Sequence, residues 1–290
     1  MEISPEIRKQ ILVFQKNEIT EHHIYNRLAK DMPSPENRKV MEEIAEDELG
    51  HYRLWKKYTQ KEVKPDGFKL WFYYWISRVF GFTFGVKLME RGEEDAQESY
   101  ALLKGKIKEI DQFIADEKKH EQILLDRLDE ESLRYAGSIV LGLNDALVEL
   151  TGALAGFTLA LQNTQLIALT GLITGVAAAL SMGASEYLST RSEETEKQPL
   201  KASLYTSTAY LATVAVLISP YLIFDNFYLC LGLTLTAAVL IIAVFNYYIS
   251  VAKDEPFKKR FLEMAALSLG VAGFSFILGY FIRSVLGVEV

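Results

Sequence analysis

EDELGH, residues 46–51, and DEKKH, residues 116–120, each contain the pattern Glu-x-x-His. Residues three apart on a helix share one face, so each motif presents a carboxylate beside an imidazole. A lone glutamate precedes each motif in the chain. A four-helix bundle that holds two metal ions uses this combination, with one Glu from each of two helices and a Glu-x-x-His pair from each of the other two. The predicted ligands are Glu18, Glu48, His51, Glu93, Glu117 and His120.

The spacing of these segments favours a metal site over the alternative of solvated surface residues. The turn sequence MPSP at residues 32–35 lies about midway between Glu18 and Glu48, and Gly105 lies midway between the carboxylates of the second pair. Each lone glutamate would therefore meet its partner at one height of an antiparallel hairpin. A single Glu-x-x-His occurs by chance on many surface helices. Two such motifs, each as far from a predicted turn as its lone glutamate, predict one metal site shared by the four helices.

Four further residues near the predicted ligands have supporting roles. Tyr25 and Tyr100 follow the lone glutamates by seven residues, which is about two helical turns, so we expect their hydroxyls to hydrogen-bond ligand carboxylates. His22 and His23 are the remaining histidines of the chain. We expect both to be solvated or to support the ligands rather than to bind metal.

Composition divides the chain into two domains. Residues 1–135 hold 23 of the 31 Lys and Arg and 27 of the 38 Asp and Glu, and the rest consists of long apolar runs. We place the domains at 1–132 and 133–290. The net charge of −7, with no basic cluster, gives no reason to expect nucleic-acid binding. The single cysteine, Cys230, excludes a disulfide within the chain and a four-cysteine metal site.

Five apolar stretches in the second domain are long enough to cross a bilayer, which takes about 20 residues. Loops 190–201 and 252–261 carry Lys and Arg, whereas loops 162–165 and 219–226 carry none. The positive-inside rule then predicts a cytoplasmic first domain and a C-terminus on the opposite side. The polar start MEISPEIRKQ, which does not resemble a signal peptide, agrees. We predict an all-α integral membrane protein with spans at 137–161, 166–189, 202–224, 228–251 and 262–286.

Charged residues inside such spans are costly and are candidates for function. The first span contains Asp145 and Glu149, and the second contains Glu186 with Met182 one turn earlier. Asp145 and Met182 are predicted to lie about 13 Å from the cytoplasmic end of their spans, at one level. Oxygen ligands with one thioether suit a borderline divalent cation such as ferrous iron. The alternative is that Met182 only packs and that Glu186 reaches to the interface.

Small residues recur every four positions on the second span, at Gly171, Gly175, Ala179 and Gly183. This stripe predicts close helix packing, within one chain or between subunits.

The aromatic segment 68–86, FKLWFYYWISRVFGFTFGV, permits several interpretations. We interpret it as a crossover between hairpins or as the start of a long third helix, with its apolar face buried in the bundle or in a dimer contact. A sixth span would separate Glu93 from its partners. A membrane-surface role is the weaker alternative.

Two resemblances to known families rest on these motifs. Residues 10–125 resemble the rubrerythrin-like branch of the ferritin-like superfamily, through the ligand motifs and their tyrosines. Residues 136–286 resemble the vacuolar iron transporter family, through LGLNDALVELTGALAG in the first span and LSMGASEYLS in the second. The combination is similar to membrane-bound ferritins. It implies a dimer that exchanges ferrous iron for protons, with the metal path lined by Asp145, Met182 and Glu186.

The chain departs from these families at two places. Spans two and three are joined by the short loop STRSEETEKQPLKAS instead of a Glu-rich helical insert. In rubrerythrins the third helix carries a further Glu; here those positions hold Ala96 and Gln97, and a rubredoxin unit with four cysteines is missing. The second departure argues against a dedicated peroxidase cycle. The first departure predicts that the first domain replaces the insert as the metal collector.

The sequence therefore predicts a transporter that exports ferrous iron from the cytoplasm by exchange with protons. Two iron ions (Fe²⁺/Fe³⁺) would occupy the bundle, which collects, oxidises or senses iron, and manganese stays open as the metal. The partners are divalent metal ions, protons, the bilayer and a second copy, with the plasma membrane favoured over an internal one. The rival interpretations are a membrane-anchored ferroxidase or peroxide-scavenging enzyme, and a sensor that gates transport.

Overall fold

The structure is a computed structural model that describes residues 4–32, 34–89, 91, 103–104, 107–127, 134–193, 197–253 and 255–286. Helices form all the regular structure in these ranges, which confirms the all-α class. The chain divides into two compact units, Met1–Leu133 and Arg134–Val290. The predictions for Glu93 and Tyr100, and the positions Ala96, Gln97 and Gly105, lie outside the described residues.

The first unit begins with a helical hairpin of α1 (Pro5–Asp31) and α2 (Pro35–Thr59). The predicted turn at residues 32–35 is confirmed. The side chain of Ser34 caps α2 by accepting from the Asn37 backbone N–H, and proline opens the helix where no N–H is needed. The unit continues with α3 (Gly67–Phe80), a helical stretch at 82–89, and α4 (Ile110–Arg127).

Two apolar clusters stabilise the first unit, one toward each end of the α1–α2 hairpin. At the turn end, Tyr25 and Leu28 of α1 pack with Ile44 of α2 and with Val86 and Met89. At the other end, α1 and α2 pack with α4 through Phe14, Trp55 and Phe113, among others. Along both α1 and α2, the predicted ligands lie between these two clusters. The side chains of the predicted ligands thus form a polar layer enclosed by apolar layers.

The aromatic segment 68–86 is divided by Gly81, whose φ of 95° ends α3. α3 is therefore not continuous with the helix that begins at residue 82 within the same segment. α3 has 14 residues and is about 21 Å long, too short for the roughly 30 Å hydrocarbon core, so a sixth span here is wrong. Leu70, Tyr73 and Tyr74 pack against the core of α1 and α2.

The second unit contains five helices long and apolar enough to cross a membrane. They confirm the five predicted spans, with ends shifted by up to five residues. The first is interrupted by a π-helical turn, Ala146–Leu150, which the sequence did not predict. The spans are α5 (Ala136–Leu161), α6 (Thr164–Ser192), α7 (Pro199–Ile223), α8 (Phe227–Lys253) and α9 (Phe257–Leu286).

The small-residue stripe of α6 packs inside the same chain. A Cβ at Gly175 would meet the side chain of Val214 on α7, and a Cβ at Gly183 would meet Ser207 on α7. The Ser207 hydroxyl also donates to the carbonyl of Ala179, at 3.2 Å. The stripe therefore lets α6 and α7 approach closely, as small residues do in membrane helices.

Candidate metal sites

The polar layer of the first unit brings together the five predicted ligands that the structure describes. His51 Nδ1 lies 3.0 Å from Glu117 Oε1 and 3.3 Å from Glu48 Oε2. Its distance to Glu18 Oε2 is 3.6 Å. His120 Nδ1 lies 3.2 Å from Glu48 Oε1. Glu18, Glu48, His51 and His120 are between 2 and 7% exposed. Glu93, the sixth predicted ligand, lies outside the described residues.

The two Glu-x-x-His motifs interact crosswise. Glu48 of the first motif faces His120 of the second, and Glu117 of the second motif faces His51 of the first. A ligand atom from each of these four residues can be chosen so that all lie within 4.8 Å of one another. This arrangement joins α2 to α4 through the site itself. It also gives each histidine a carboxylate from the opposite helix.

The aspartate that precedes each motif glutamate also lies near a histidine of the layer. Asp47 Oδ2 lies 2.9 Å from His120 Nε2, and Asp116 Oδ2 lies 3.9 Å from His51 Nε2. Each histidine thus turns Nδ1 toward the buried carboxylates and Nε2 toward an outer aspartate. A carboxylate on the far nitrogen fixes the ring orientation of a metal-ligating histidine. Both motifs read Asp-Glu-x-x-His, and this signal could have identified Asp47 and Asp116 from the sequence.

Glu21 is a further carboxylate of the layer that was not predicted. It lies one helical turn after Glu18 and is buried, and one carboxylate oxygen each from Glu18, Glu21 and Glu48 can be grouped within 4.8 Å. Trp55 closes the layer on one side, where its indole N–H donates to Glu18 Oε1 at 3.2 Å. The i, i+3 spacing of Glu18 and Glu21 was the available signal.

The histidines beside the lone glutamate lie outside the ligand layer, as expected. His22 Nδ1 is 2.6 Å from the carbonyl oxygen of Ala45, and its ring also contacts Asn26. His23 is exposed, and both its partial burial and the neighbouring His22 lower its pKa. Tyr25 is fully buried in the apolar cluster next to the layer.

The electrostatics of the layer favour paired charges. Burial by itself raises the pKa of Glu48, but the imidazoles of His120 and His51, 3.2 and 3.3 Å from its oxygens, outweigh it and lower the pKa to about 2. Burial lowers the pKa of His120, but Glu48 and Asp47 raise it to about 9. Burial also opposes the charge of His51, yet its carboxylate partners raise its pKa overall. The metal-free layer therefore holds protonated imidazoles against ionised Glu48.

Glu18 and Glu117 have the opposite balance. Burial and the neighbouring carboxylates raise the pKa of both. Four buried or nearly buried carboxylates, including Glu21, face two imidazoles in this layer. Carboxylates in such a setting need cations as partners, because an unpaired buried charge is costly.

The donor atoms fit metal ions. Among the described residues, Glu117 Oε1 and His120 Nδ1 are buried and have no hydrogen-bond partner, although each lies within 3.2 Å of an opposing side-chain atom. Close approach without hydrogen-bond geometry is what two ligands show when their lone pairs point at a common place. A cation held between them would satisfy both atoms. Oxygen and imidazole donors of this kind suit iron, manganese and zinc.

The second unit places its predicted residues around a different kind of site. The carboxyl groups of Asp145 and Glu149 interact along α5. The π-helical turn begins directly after Asp145 and contains Glu149. Such turns are rare and occur often at functional sites. The hydroxyl of Tyr210 on α7 donates to Glu149 Oε2 at 3.0 Å, a contact that the sequence did not predict.

Glu186 and Met182 lie on α6, facing different neighbours. Ser138 Oγ on α5 donates to Glu186 Oε1 at 2.6 Å, so Glu186 is held by the neighbouring span. Met182 packs against the apolar core of the unit. Among the described residues, the groups of at least three His, Cys, Asp or Glu close enough to share an ion lie in the first unit.

The packing of α7 fixes the heights of these residues. Gly142 of α5 packs against the backbone of Thr206, and Gly183 of α6 packs against Ser207. These glycines therefore lie at one height, which places Asp145 and Met182 within about 3 Å in depth at 1.5 Å rise per residue. The heights agree with the predicted level.

Comparison with known proteins concerns the second unit. Residues 136–197 match the model of the VIT family, the vacuolar iron transporters. The match covers α5 and α6 and includes Asp145, Glu149, Met182 and Glu186. Comparison with the curated proteins and with the solved structures gave no match. The VIT match and the five apolar helices indicate an integral membrane protein and suggest a membrane metal-ion transporter.

Proposed function

We propose that this protein exports ferrous iron from the cytoplasm in exchange for protons, and that its first unit holds a pair of iron ions. Manganese suits the same donors and is the alternative metal. The observation that carries the transport proposal is the set of carboxylates and one thioether that lie within the segment matching the VIT family. The crossed Glu/His layer supports the proposal for the first unit.

Each residue of the membrane path has a separate task. Glu186 receives the metal ion at the shallow, cytoplasmic level, where Ser138 holds its carboxylate. Asp145 and Met182 bind the ion one level deeper, with a hard oxygen and a soft sulfur that together suit ferrous iron. Glu149, held by Tyr210, accepts the ion from Asp145. The short step between them follows from their contact along α5.

Proton exchange follows from the same carboxylates. An empty carboxylate inside a membrane protein tends to take up a proton, because its charged form is desolvated. An arriving cation replaces that proton and stabilises the charged form. Each transport cycle would then return protons to the cytoplasmic side.

The first unit would deliver metal to this path. Glu18, Glu21, Glu48 and Glu117 offer oxygen donors, and His51 and His120 offer Nδ1, while Asp47 and Asp116 orient the two imidazoles. We further propose Glu93 as the remaining ligand and Tyr100 as its supporting hydroxyl. Bound iron would supply the electron-transfer chemistry of a ferroxidase, which remains the alternative role of this layer. The family resemblance supports a homodimer in the plasma membrane.

Metal uptake into sealed vesicles tests the proposal. The purified chain is reconstituted and offered Fe²⁺ or Mn²⁺ under reducing conditions, with a metal-sensitive dye and a pH dye inside. We expect uptake with alkalinisation of the interior as protons leave. Asp145→Ala should abolish both signals, whereas Asp225→Ala, which removes an aspartate from the exposed α7–α8 loop, should leave them unchanged. Uptake by Asp145→Ala at the rate of the parent protein would contradict the proposed path.

A further inference from the structure

The helix α3 presents a second apolar face that packs against nothing in the described part of the chain. Phe68 is 73% exposed, Trp71 56% and Trp75 50%, and Val79 is also exposed. Their spacing of three or four residues places them in one stripe along the helix. Leu70, Tyr73 and Tyr74, on the other face, pack toward the core. α3 is thus an apolar helix with only one of its faces covered.

The residue types of this stripe differ from those on the exposed faces of the membrane spans. The spans expose mainly Leu, Ile and Val, which suit hydrocarbon. The three tryptophans of the chain all lie in the first unit, and two of them are on the exposed face of α3. Tryptophan and tyrosine are enriched at the level of lipid headgroups. The composition of the stripe therefore fits the membrane–water interface better than a bilayer interior.

The charged residues within residues 67–89 are all basic, and Asp66, which caps α3, is paired with Lys16. Residues 67–89 contain Lys69, Arg78 and Lys87 and no acidic residue. A groove of about 490 Å³ runs along the side of α3, lined among others by His23, Arg27 and Lys30 of α1. Basic side chains beside an apolar face are complementary to anionic lipid headgroups.

The groove is fixed to α3 by specific contacts. The Arg27 guanidinium lies 3.8 Å from the centre of the Tyr74 ring. The Tyr74 hydroxyl donates to Asp31 Oδ2 at 2.7 Å, and Arg27 and Lys30 together outweigh the charge of this acidic residue in the groove. Trp75 follows Tyr74 directly and is about 100° further around the helix. The basic groove and the exposed tryptophans are therefore neighbouring parts of one surface.

We propose that α3 lies along the cytoplasmic face of the membrane, with Phe68, Trp71 and Trp75 inserted among lipid headgroups and the Arg27/Lys30 groove holding an anionic headgroup. The helix is too short to span a bilayer but is long enough to lie on one. The five spans keep the first unit at the membrane at all times, so that even a weak surface contact is populated. The proposal is independent of which metal is transported.

A second copy of the chain is the rival occupant of this face, and the charges oppose it. In a two-fold contact the same patch meets itself. The stripe is bordered by Lys69 and Arg78, so self-association would bring like charges together at its rim. Anionic lipid meets the same rim with opposite charge.

Tryptophan emission of the whole chain in vesicles tests the proposal, because the spans contribute no tryptophan. The vesicles contain phosphatidylcholine and phosphatidylglycerol, with or without bromine atoms on the upper part of the acyl chains. We expect brominated lipid to quench most of the emission of Trp71 and Trp75. In the Trp71→Phe/Trp75→Phe variant only Trp55, which is fully buried, remains, and quenching should disappear. The single variants should each retain part of it.

Two results would overturn the lipid contact. One is equal emission in brominated and plain vesicles with ready quenching by aqueous iodide, which means that α3 lies in water. The other is protection from both quenchers that grows with the protein-to-lipid ratio, which means that a second copy covers the face.

The basic groove has its own test in the same vesicles. Arg27→Gln/Lys30→Gln should weaken the quenching in vesicles with phosphatidylglycerol and leave it unchanged in phosphatidylcholine alone. Raising the salt from 0.1 to 1 M, which shortens the Debye length from about 10 to about 3 Å, should have a similar effect on the parent protein. Lys39→Gln on α2, an exposed lysine away from α3, is the matched control. If the tryptophan emission of the parent protein is quenched equally with and without phosphatidylglycerol, the proposed headgroup site is wrong.

Discussion

The ligand layer of the first unit and the membrane path of the second both use carboxylates, but they surround them differently. In the first unit, buried Glu48 and nearly buried Glu117 face imidazoles of the opposite helix at 3.2 and 3.0 Å, and apolar clusters enclose the layer. In the second unit, Glu149 and Glu186 face the neutral hydroxyls of Tyr210 and Ser138. The path also contains no histidine.

In the proposed function, this difference separates a site that retains a cation from a path that releases one. Several charged ligands held in a buried layer bind a cation firmly. A path must bind well enough for entry and weakly enough for exit, which favours few charges and neutral partners at successive levels. The π-helical turn that follows Asp145 interrupts the regular helix at this point of the path. We thus propose that one chain combines a retaining metal site with a path that releases metal.

Replacing Glu48 by alanine should break the retaining site most completely, because Glu48 contacts both His51 and His120. We expect the purified variant to lose its bound iron, measured by elemental analysis beside the parent protein. The metal-free variant should also lose about 3 kcal/mol of stability, since each of the two buried imidazoles loses one of its carboxylate partners. Glu46→Ala, two residues earlier and exposed, is the control and should keep its metal.

The same variant also distinguishes delivery from sensing. If the layer delivers metal, Glu48→Ala should transport more slowly at limiting iron and normally at high iron. If the layer gates the transporter, transport should become independent of iron concentration. Unchanged metal content in Glu48→Ala would refute the site itself.

The membrane path depends on close packing rather than on charge pairs, and Gly142→Ala tests this. A Cβ at Gly142 would overlap the backbone carbonyl of Thr206, so α5 and α7 would have to separate one turn before Asp145. We expect a loss of about 1–3 kcal/mol in thermal unfolding in detergent, together with slower metal uptake. Gly232→Ala is the matched control, because no heavy atom lies within 4 Å of its added Cβ.

The control should change stability by less than about 0.5 kcal/mol. Equal behaviour of Gly142→Ala and Gly232→Ala would mean that the α5–α7 contact does not shape the path.

The sequence predicted the parts of both regions that depend on periodicity. The α1–α2 hairpin follows from its proline-serine turn and from apolar residues in register, and the five spans follow from their length and hydropathy. Asp47 and Asp116 were readable in the doubled motif but were missed. Their role depends on the crossing of the two motifs, which brings each aspartate to the histidine of the other helix.

Contacts between distant segments could not be predicted in the same way. The hydrogen bond from Tyr210 to Glu149 joins residues 61 positions apart, and no local pattern marks Tyr210 among the tyrosines of the chain. The aromatic run of α3 was expected to bury its apolar face. Hydropathy gives the number of apolar residues but not which faces will find partners, and the Phe68–Trp75 face is exposed.

The charge pairs of the first unit predict that its stability depends on pH. The pKa of His120 is raised to about 9, against about 6.5 in an unfolded chain. Its protonated form thus stabilises the metal-free layer fully below about pH 6.5, and this contribution is lost as the pH rises through about 9. The raised pKa values of Glu18 and Glu117 change stability in the same direction at lower pH.

Metal binding requires the neutral imidazole, so it strengthens over the range in which the metal-free layer weakens. We therefore expect the unfolding temperature of the metal-free protein to fall between pH 6.5 and 9, while the increase caused by added Mn²⁺ grows. Tryptophan emission measures this for the first unit alone, because all three tryptophans lie there. Asp47→Asn removes an outer partner of His120 and should move the fall to lower pH. If the unfolding temperature of metal-free His120→Gln falls as much as that of the parent protein between pH 6.5 and 9, another group causes the fall. The crossed Glu48–His120 pair would then not be the source of the pH dependence.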